Sequence, residues 1–287
     1  MNKKVQVATL SVASNTMLIT LKIIAGVMSG SVSIISEAIH SGMDLVASLI
    51  ALFSVKVSSK PADKGHPYGH GKIENVSGVV EGLLIFIAAF LIIKEAILKI
   101  SHPTPIEAPY VAMAVMIISG LVNTIVAKQI YKVAKAENSV ALEADALHLK
   151  TDVYTSLGVG LGILIIKLTG INILDPIVAI LVALLIIKEA WHLCYKAFGP
   201  LIDTKLPDDE EEKILKIINP YVASEKIINY HHFRAIQTGI EKHIDFHIVV
   251  DKNSTVRDAH DLSDLIEKEI EDNIKNASIN IHIEPSS

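Results

Sequence analysis

Ser77-Gly-Val-Val-Glu-Gly-Leu-Leu-Ile-Phe-Ile-Ala-Ala-Phe-Leu-Ile-Ile-Lys-Glu-Ala-Ile-Leu-Lys-Ile100 is a nearly unbroken apolar run. It is long enough to cross about 30 Å of hydrocarbon, which takes about 20 residues of helix. Working outward, comparable runs occupy residues 7–29, 32–55, 110–132, 140–168 and 174–198. Six transmembrane helices are therefore expected, with both chain ends on one side of the bilayer. The first run is too long for a signal peptide and has no convincing small-residue cleavage pattern, so it is expected to remain. Composition agrees: 51% of the 287 residues are apolar, and the mean hydropathy is +0.45.

The net charge of -5 conceals a division. Residues 203–287 carry 18 acidic and 10 basic side chains, while the preceding 202 residues are net basic. Two domains are expected, 1–200 in the membrane and 201–287 outside it. Basic residues in short loops face the cytoplasm. Lys3, Lys4, Lys56, Lys60, Lys64, Lys72, Lys128, Lys132 and Lys135 fall on one side, against Lys94, Lys99 and Lys167 on the other. Both termini are thus expected in the cytoplasm of a cell whose inner (plasma) membrane holds the protein. The acidic balance argues against nucleic acid as a partner. A single cysteine, Cys194, excludes thiolate zinc sites and disulfide scaffolds.

Four ionisable groups stand inside the apolar runs, where such groups mark function by default. His40 and Asp44 are four residues apart in the second run, and His148 and Asp152 are four apart in the fifth. That spacing stacks each pair on one helix face. Two such faces turned together offer two imidazole nitrogens and two carboxylates, a tetrahedral set suited to Zn²⁺; Cd²⁺, Co²⁺ and Fe²⁺ also accept these donors. A lone intramembrane His or Asp is as readily a helix-to-helix hydrogen bond, but the repeated spacing favours metal. Glu37 and Asp145 lie one turn earlier, as entrance or hydrogen-bonding groups, and Lys150 points to another face. Asn15, Lys22, Glu81 and Asn123 read as helix-packing contacts. The sequence around Glu37–Asp44 is echoed at Asp145–Asp152, and Leu91–Ala96 at Leu185–Ala190. Such internal echoes often flank a transporter's binding site.

The stretch Gly26 to Asp44, with Gly30, Ser31, Ser36, Glu37 and Ser41, resembles the second-helix signature of the cation diffusion facilitator family. The loop Pro61-Ala-Asp63-Lys-Gly-His66-Pro-Tyr-Gly-His70-Gly-Lys72-Ile-Glu74 is similar to that family's loop between helices two and three, and the resemblance runs through Ala144–Asp152 into the tail. It implies a proton-coupled exporter of divalent metal, working as a homodimer by alternating access, with protons as counter-ion. His40 departs from the Asp of broad-specificity bacterial members and matches zinc-selective animal members, which favours Zn²⁺ over Mn²⁺. By resemblance, Asp63, His66 and His70 form a loop metal site. His231, His247, His260, His282 and Glu284 form a cytoplasmic binuclear zinc site, with Glu284 replacing a familiar Asp, and Lys72 and Asp203 form a dimer interlock. His232 and His243 have no counterpart and read as surface histidines.

The tail itself reads as helix 208–219, strands 226–237 and 241–251, helix 255–275 and strand 278–284. His243 to Val250 alternates as a half-buried strand does, and Thr255 with Asp258 forms a capping box. The expected fold is an α-helical membrane protein of six transmembrane helices plus a small α+β metallochaperone-like cytoplasmic domain. The expected function is efflux of Zn²⁺. The alternatives are a manganese, iron or cadmium exporter on the same scaffold and a membrane-anchored metal sensor. The sequence has no His-Glu-x-x-His and no nucleophile constellation, so a transporter rather than an enzyme is expected.

Overall fold

The computed structural model describes residues 2–29, 32–101, 109–169 and 173–287. Some side chains within these ranges, those of Glu37, His40, Lys99 and Lys167 among them, lie outside the described residues. The chain divides into two compact units, Met1–Phe198 and Gly199–Ser287.

The first unit is six helices: α1 Lys3–Ser29, α2 Val32–Ser58, α3 Lys72–Ser101, α4 Pro109–Ala136, α5 Val140–Thr169 and α6 Leu174–Phe198. Among the described residues, five stretches are long and apolar enough to cross a membrane. α5 carries Glu143, Asp145, His148, Lys150 and Asp152 in its first half. α3 begins at Lys72 and α4 runs on to Ala136, because polar turns extend each helix past its apolar run. Leu83, Ile87, Phe90, Leu121, Ile125 and Leu181 are exposed, as side chains facing lipid should be.

Without a hydrophobic force between helices in lipid, small residues govern how closely they pack. α1 packs chiefly on α2, α4 on α5 and α3 on α6. The α3–α6 contact is closest at Gly82, where a Cβ would stand 2.3 Å from Cys194 Sγ. One turn earlier, a Cβ at Gly78 would stand 2.7 Å from Val140 Cγ1 and 3.1 Å from Ala197 Cβ. Where α1 and α3 begin, a buried polar node ties four segments. Glu74 accepts from Lys4 Nζ at 2.9 Å, from Ser58 Oγ at 2.6 Å and from Ser139 Oγ.

The second unit opens with a 3-10 turn, Gly199–Ile202, followed by α7 Asp208–Ala223, β1 Asn229–Thr238, β2 Glu241–Val250, α8 Val256–Asn273 and β3 Ala277–Pro285. The strands form one sheet in the order β1-β2-β3. β1 and β2 are antiparallel, turning at Gly239 with its φ of 64°; β2 and β3 are parallel and joined through α8. The alternation read from the sequence holds: Ile244, Phe246, Ile248 and Val250 are buried, while Asp245 is exposed between them. They pack with Ile214 and Ile218 of α7 and Ile266 and Ile270 of α8. The capping box of α8 forms as expected, Thr255 accepting from the Asp258 amide while Asp258 accepts from the Thr255 amide.

Candidate metal sites

Two helices supply the cluster inside the membrane unit. Asp44 of α2 and His148 and Asp152 of α5 each place a ligand atom within 4.8 Å of the others. Asp44 and His148 are buried, at 5% and 8% exposure. His148 Nε2 lies 3.0 Å from Asp44 Oδ1. An ionised carboxylate only accepts, so the hydrogen bond places the proton on Nε2. A metal ion taking that nitrogen must displace the proton. His40 completes the set in sequence, but its side chain lies outside the described residues.

The asparagines do more than pack helices. Asn123 Nδ2 of α4 donates to Asp152 Oδ2 at 3.3 Å, and Asn15 Nδ2 of α1 donates to the Asp44 carbonyl at 3.3 Å. Both hold groups of the cluster in place, a task sequence reasoning missed because it depends on how separate helices are rotated. Lys22 is a helix-packing contact, donating to Ser41 Oγ at 2.5 Å. Lys150 turns away and sits 5.4 Å from the Tyr154 ring. Two carboxylates stand beside the cluster. Asp145 accepts from Ser11 Oγ at 3.0 Å and Glu81 from Ser77 Oγ at 3.1 Å. The second oxygen of each, and His148 Nδ1, are buried without a hydrogen-bond partner.

In the loop between α2 and α3, Asp63, His66 and His70 also converge within 4.8 Å. Asp63 Oδ1 accepts from the amides of Gly65 at 2.9 Å and His66 at 2.8 Å, and lies 3.2 Å from His66 Nδ1. The His66 amide is the chief reason the Asp63 carboxyl sits below its ordinary range. His70 is buried and brings Nε2 to 3.4 Å from Asp63 Oδ2. Gly69, with φ at 75°, takes a left-handed turn that other residues rarely adopt.

On the tail sheet, strand register arranges the histidines. His231 pairs with His247 across β1–β2, and His247 with His282 across β2–β3, so three imidazoles form one row. Glu284 reaches His247 Nδ1 at 2.8 Å, His231 Nε2 at 3.4 Å and His282 Nε2 at 3.8 Å. The His247 hydrogen bond is the main cause holding the Glu284 carboxyl below its usual range. His247, His282 and Glu284 form one group with metal-ligand spacing, and His231, His232 and His247 another. His260 stands apart on the exposed face of α8, with Nδ1 3.4 Å from Asp264 Oδ1.

Two expectations need correction. His232 is exposed but belongs to the histidine cluster rather than an unrelated surface. His243 is half-buried, because β2 is the central strand and neighbours flank it on both sides. Lys72 opens α3, and Asp203 follows the 3-10 turn with φ at 55°.

Known proteins carry the same two-part organisation. The model of the cation efflux transmembrane domain matches residues 8–202, and that of the cation efflux protein cytoplasmic domain matches residues 206–286. An uncharacterized transporter of Synechocystis sp. is 33% identical over 97% of this chain and 89% of its own. An uncharacterized transporter of Methanocaldococcus jannaschii is 32% identical over 96% of each. The cation-efflux pump FieF of Shewanella oneidensis is 29% identical over 96% of this chain and 92% of its own.

Proposed function

This chain belongs to the cation efflux family and is a multi-pass membrane transporter of divalent metal, and from that premise we propose that it exports Zn²⁺ from the cytoplasm in exchange for protons. The observation that carries the reading is the meeting of Asp44, His148 and Asp152, with His148 Nε2 in hydrogen-bond contact with the Asp44 carboxylate. His40 is the fourth ligand. When the cluster faces the cytoplasm, Zn²⁺ displaces the Nε2 proton of His148. When it faces outward, protons re-enter the same groups and release the ion, as alternating access requires. Mixed nitrogen and oxygen donors favour Zn²⁺ over the harder Mn²⁺, which prefers oxygen. The inner membrane is the location, with both termini in the cytoplasm, as the distribution of lysines supports.

Residues 1–200 conduct and residues 201–287 regulate. The tail's imidazoles and carboxylate are donors suited to Zn²⁺, with Cd²⁺, Co²⁺, Fe²⁺ and Mn²⁺ as weaker competitors. His231, His247, His260, His282 and Glu284 hold regulatory zinc there, while Asp63, His66 and His70 hold an ion at the loop. Zinc in the tail favours the homodimer by binding one arrangement more tightly, and Lys72 with Asp203 locks the protomers near the membrane surface.

The test is flux in sealed vesicles reconstituted with the purified protein, with an imposed pH gradient and Zn²⁺, Cd²⁺, Fe²⁺ or Mn²⁺ supplied in turn. Zinc should move fastest and collapse the gradient as it moves. Zinc flux indifferent to the gradient would overturn proton exchange, faster manganese flux would overturn the selectivity, and binding without flux would leave a metal sensor.

A further inference from the structure

His231 and His232 are consecutive, and in a regular strand they would point to opposite faces of the sheet. The register of β1 on β2 forbids that. His231 faces His247 but Arg234 faces Asp245, so β1 carries one extra residue between them. This is a β-bulge, a device that re-aims side chains. His232 sits within it at φ 51°, in the left-handed region that costs any residue with a Cβ. The strained turn brings its ring to 4.9 Å from those of both His231 and His247. The three residues each place a nitrogen within 4.8 Å of the others, and His232 is exposed, open to an incoming ion.

The geometry points to an all-imidazole metal subsite formed by His231, His232 and His247 at this bulge, taking a borderline divalent ion of the Zn²⁺, Ni²⁺ or Cu²⁺ class. It deepens the reading of the tail as metal-binding and rests on it. Glu284 acts in this subsite as a positioning residue. Its Oε1, 2.8 Å from His247 Nδ1, accepts a hydrogen bond from the Nδ1–H tautomer and so leaves Nε2 for the ion, the arrangement that orients ligating imidazoles elsewhere. His247 also belongs to the group with His282 and Glu284, so the tail has two donor sets sharing one imidazole. Nitrogen-only ligation ranks Cu²⁺ and Ni²⁺ above Mn²⁺ and Fe²⁺. The subsite therefore gives the regulatory domain a metal preference distinct from the carboxylate-rich transport cluster.

The test uses the full-length protein loaded with one Cu²⁺ per protomer, with imidazole ligands counted by pulsed electron paramagnetic resonance and affinity measured by chelator competition. His232→Asn removes the imidazole while tolerating the left-handed backbone, and His232→Gly relieves the strain altogether. Both variants should lower the count from three imidazoles to two and weaken binding by at least about tenfold. His232→Gly should also leave the tail as resistant to unfolding as the wild type or more so, which a merely structural role for the ring does not predict. A count that stays at three, or an affinity within threefold of wild type in both variants, overturns the subsite. His247→Ala separates the two readings. If it abolishes the signal while the His232 variants do not change it, only the bulge subsite falls; if it too changes nothing, the tail is not the copper site and the wider reading falls with it.

Discussion

Replacing Asp152 by alanine removes one donor from a buried set that offers Asp44, His148 and Asp152 within 4.8 Å. Small zinc sites with four ligands are worth about 10–16 kcal/mol, so each donor carries about 3 kcal/mol if they share evenly. Each 1.4 kcal/mol is a factor of ten, so the half-saturating zinc concentration should rise about 100-fold. Asn123 touches the same carboxylate at 3.3 Å without being a ligand. Outer groups of that kind usually cost about 10- to 100-fold, so Asn123→Ala should fall short of Asp152→Ala. The assay is zinc flux into sealed vesicles over a wide concentration range, with helical content by circular dichroism confirming that each variant is folded. Half-saturation for Asp152→Ala within threefold of wild type would refute the assignment of this carboxylate to the ion. A greater loss in Asn123→Ala would refute the ranking of ligand over support.

Three further outcomes follow from the same geometry. His40→Asp exchanges imidazole for a harder oxygen and should raise cadmium or manganese flux relative to zinc; an unchanged flux ratio would show that this position does not set selectivity. Gly82→Ala drives a methyl into Cys194 Sγ and should cost about 1–3 kcal/mol of stability. Cys194→Ala should restore most of it, because the next contacts, at 3.7 Å, are ordinary; thermal unfolding of the double variant in detergent checks the rescue. For the loop, the His66 amide depresses the Asp63 carboxyl. Its contribution is therefore complete above about pH 4 and lost only as pH falls through the lowered value. Asp63→Asn should therefore weaken cobalt binding at the loop at neutral pH, followed by the metal's visible absorption; unchanged occupancy in the variant would contradict this.

Much of the fold was legible because its causes are local. Apolar runs long enough for a bilayer give helices wherever they occur, and Ile244, Phe246 and Ile248 alternate inward as their sequence spacing dictates. Thr255 and Asp258 need only three residues of chain to form their cap. The pairing of the Asp44 and His148 faces was also legible, from identical spacing in two helices. What escaped the sequence depends on distant partners or on backbone detail. Asn15 and Asn123 reach the cluster only through the rotation of α1 and α4 against α2 and α5. His232 joins the histidines only because β1 gains a residue there, and nothing in Tyr230-His-His-Phe233 announces a bulge. His243 looks like a solvated strand residue until β2 proves to be the central strand.

Glu74 is the common attachment of Lys4 in α1, Ser58 at the end of α2 and Ser139 at the threshold of α5, while itself lying in the first turn of α3. It works as a rivet. Pulling any of these segments away would strand a buried charge, at a cost of about 3–5 kcal/mol. Helices fastened in this way pivot about the rivet in preference to separating at it. α3 has 30 residues, so it is a lever about 45 Å long, and a tilt of about 5° at its root moves its far end by about 4 Å. A tilt too small to disturb the fastened end would thus become, at the opposite end, a displacement wide enough to pass an ion.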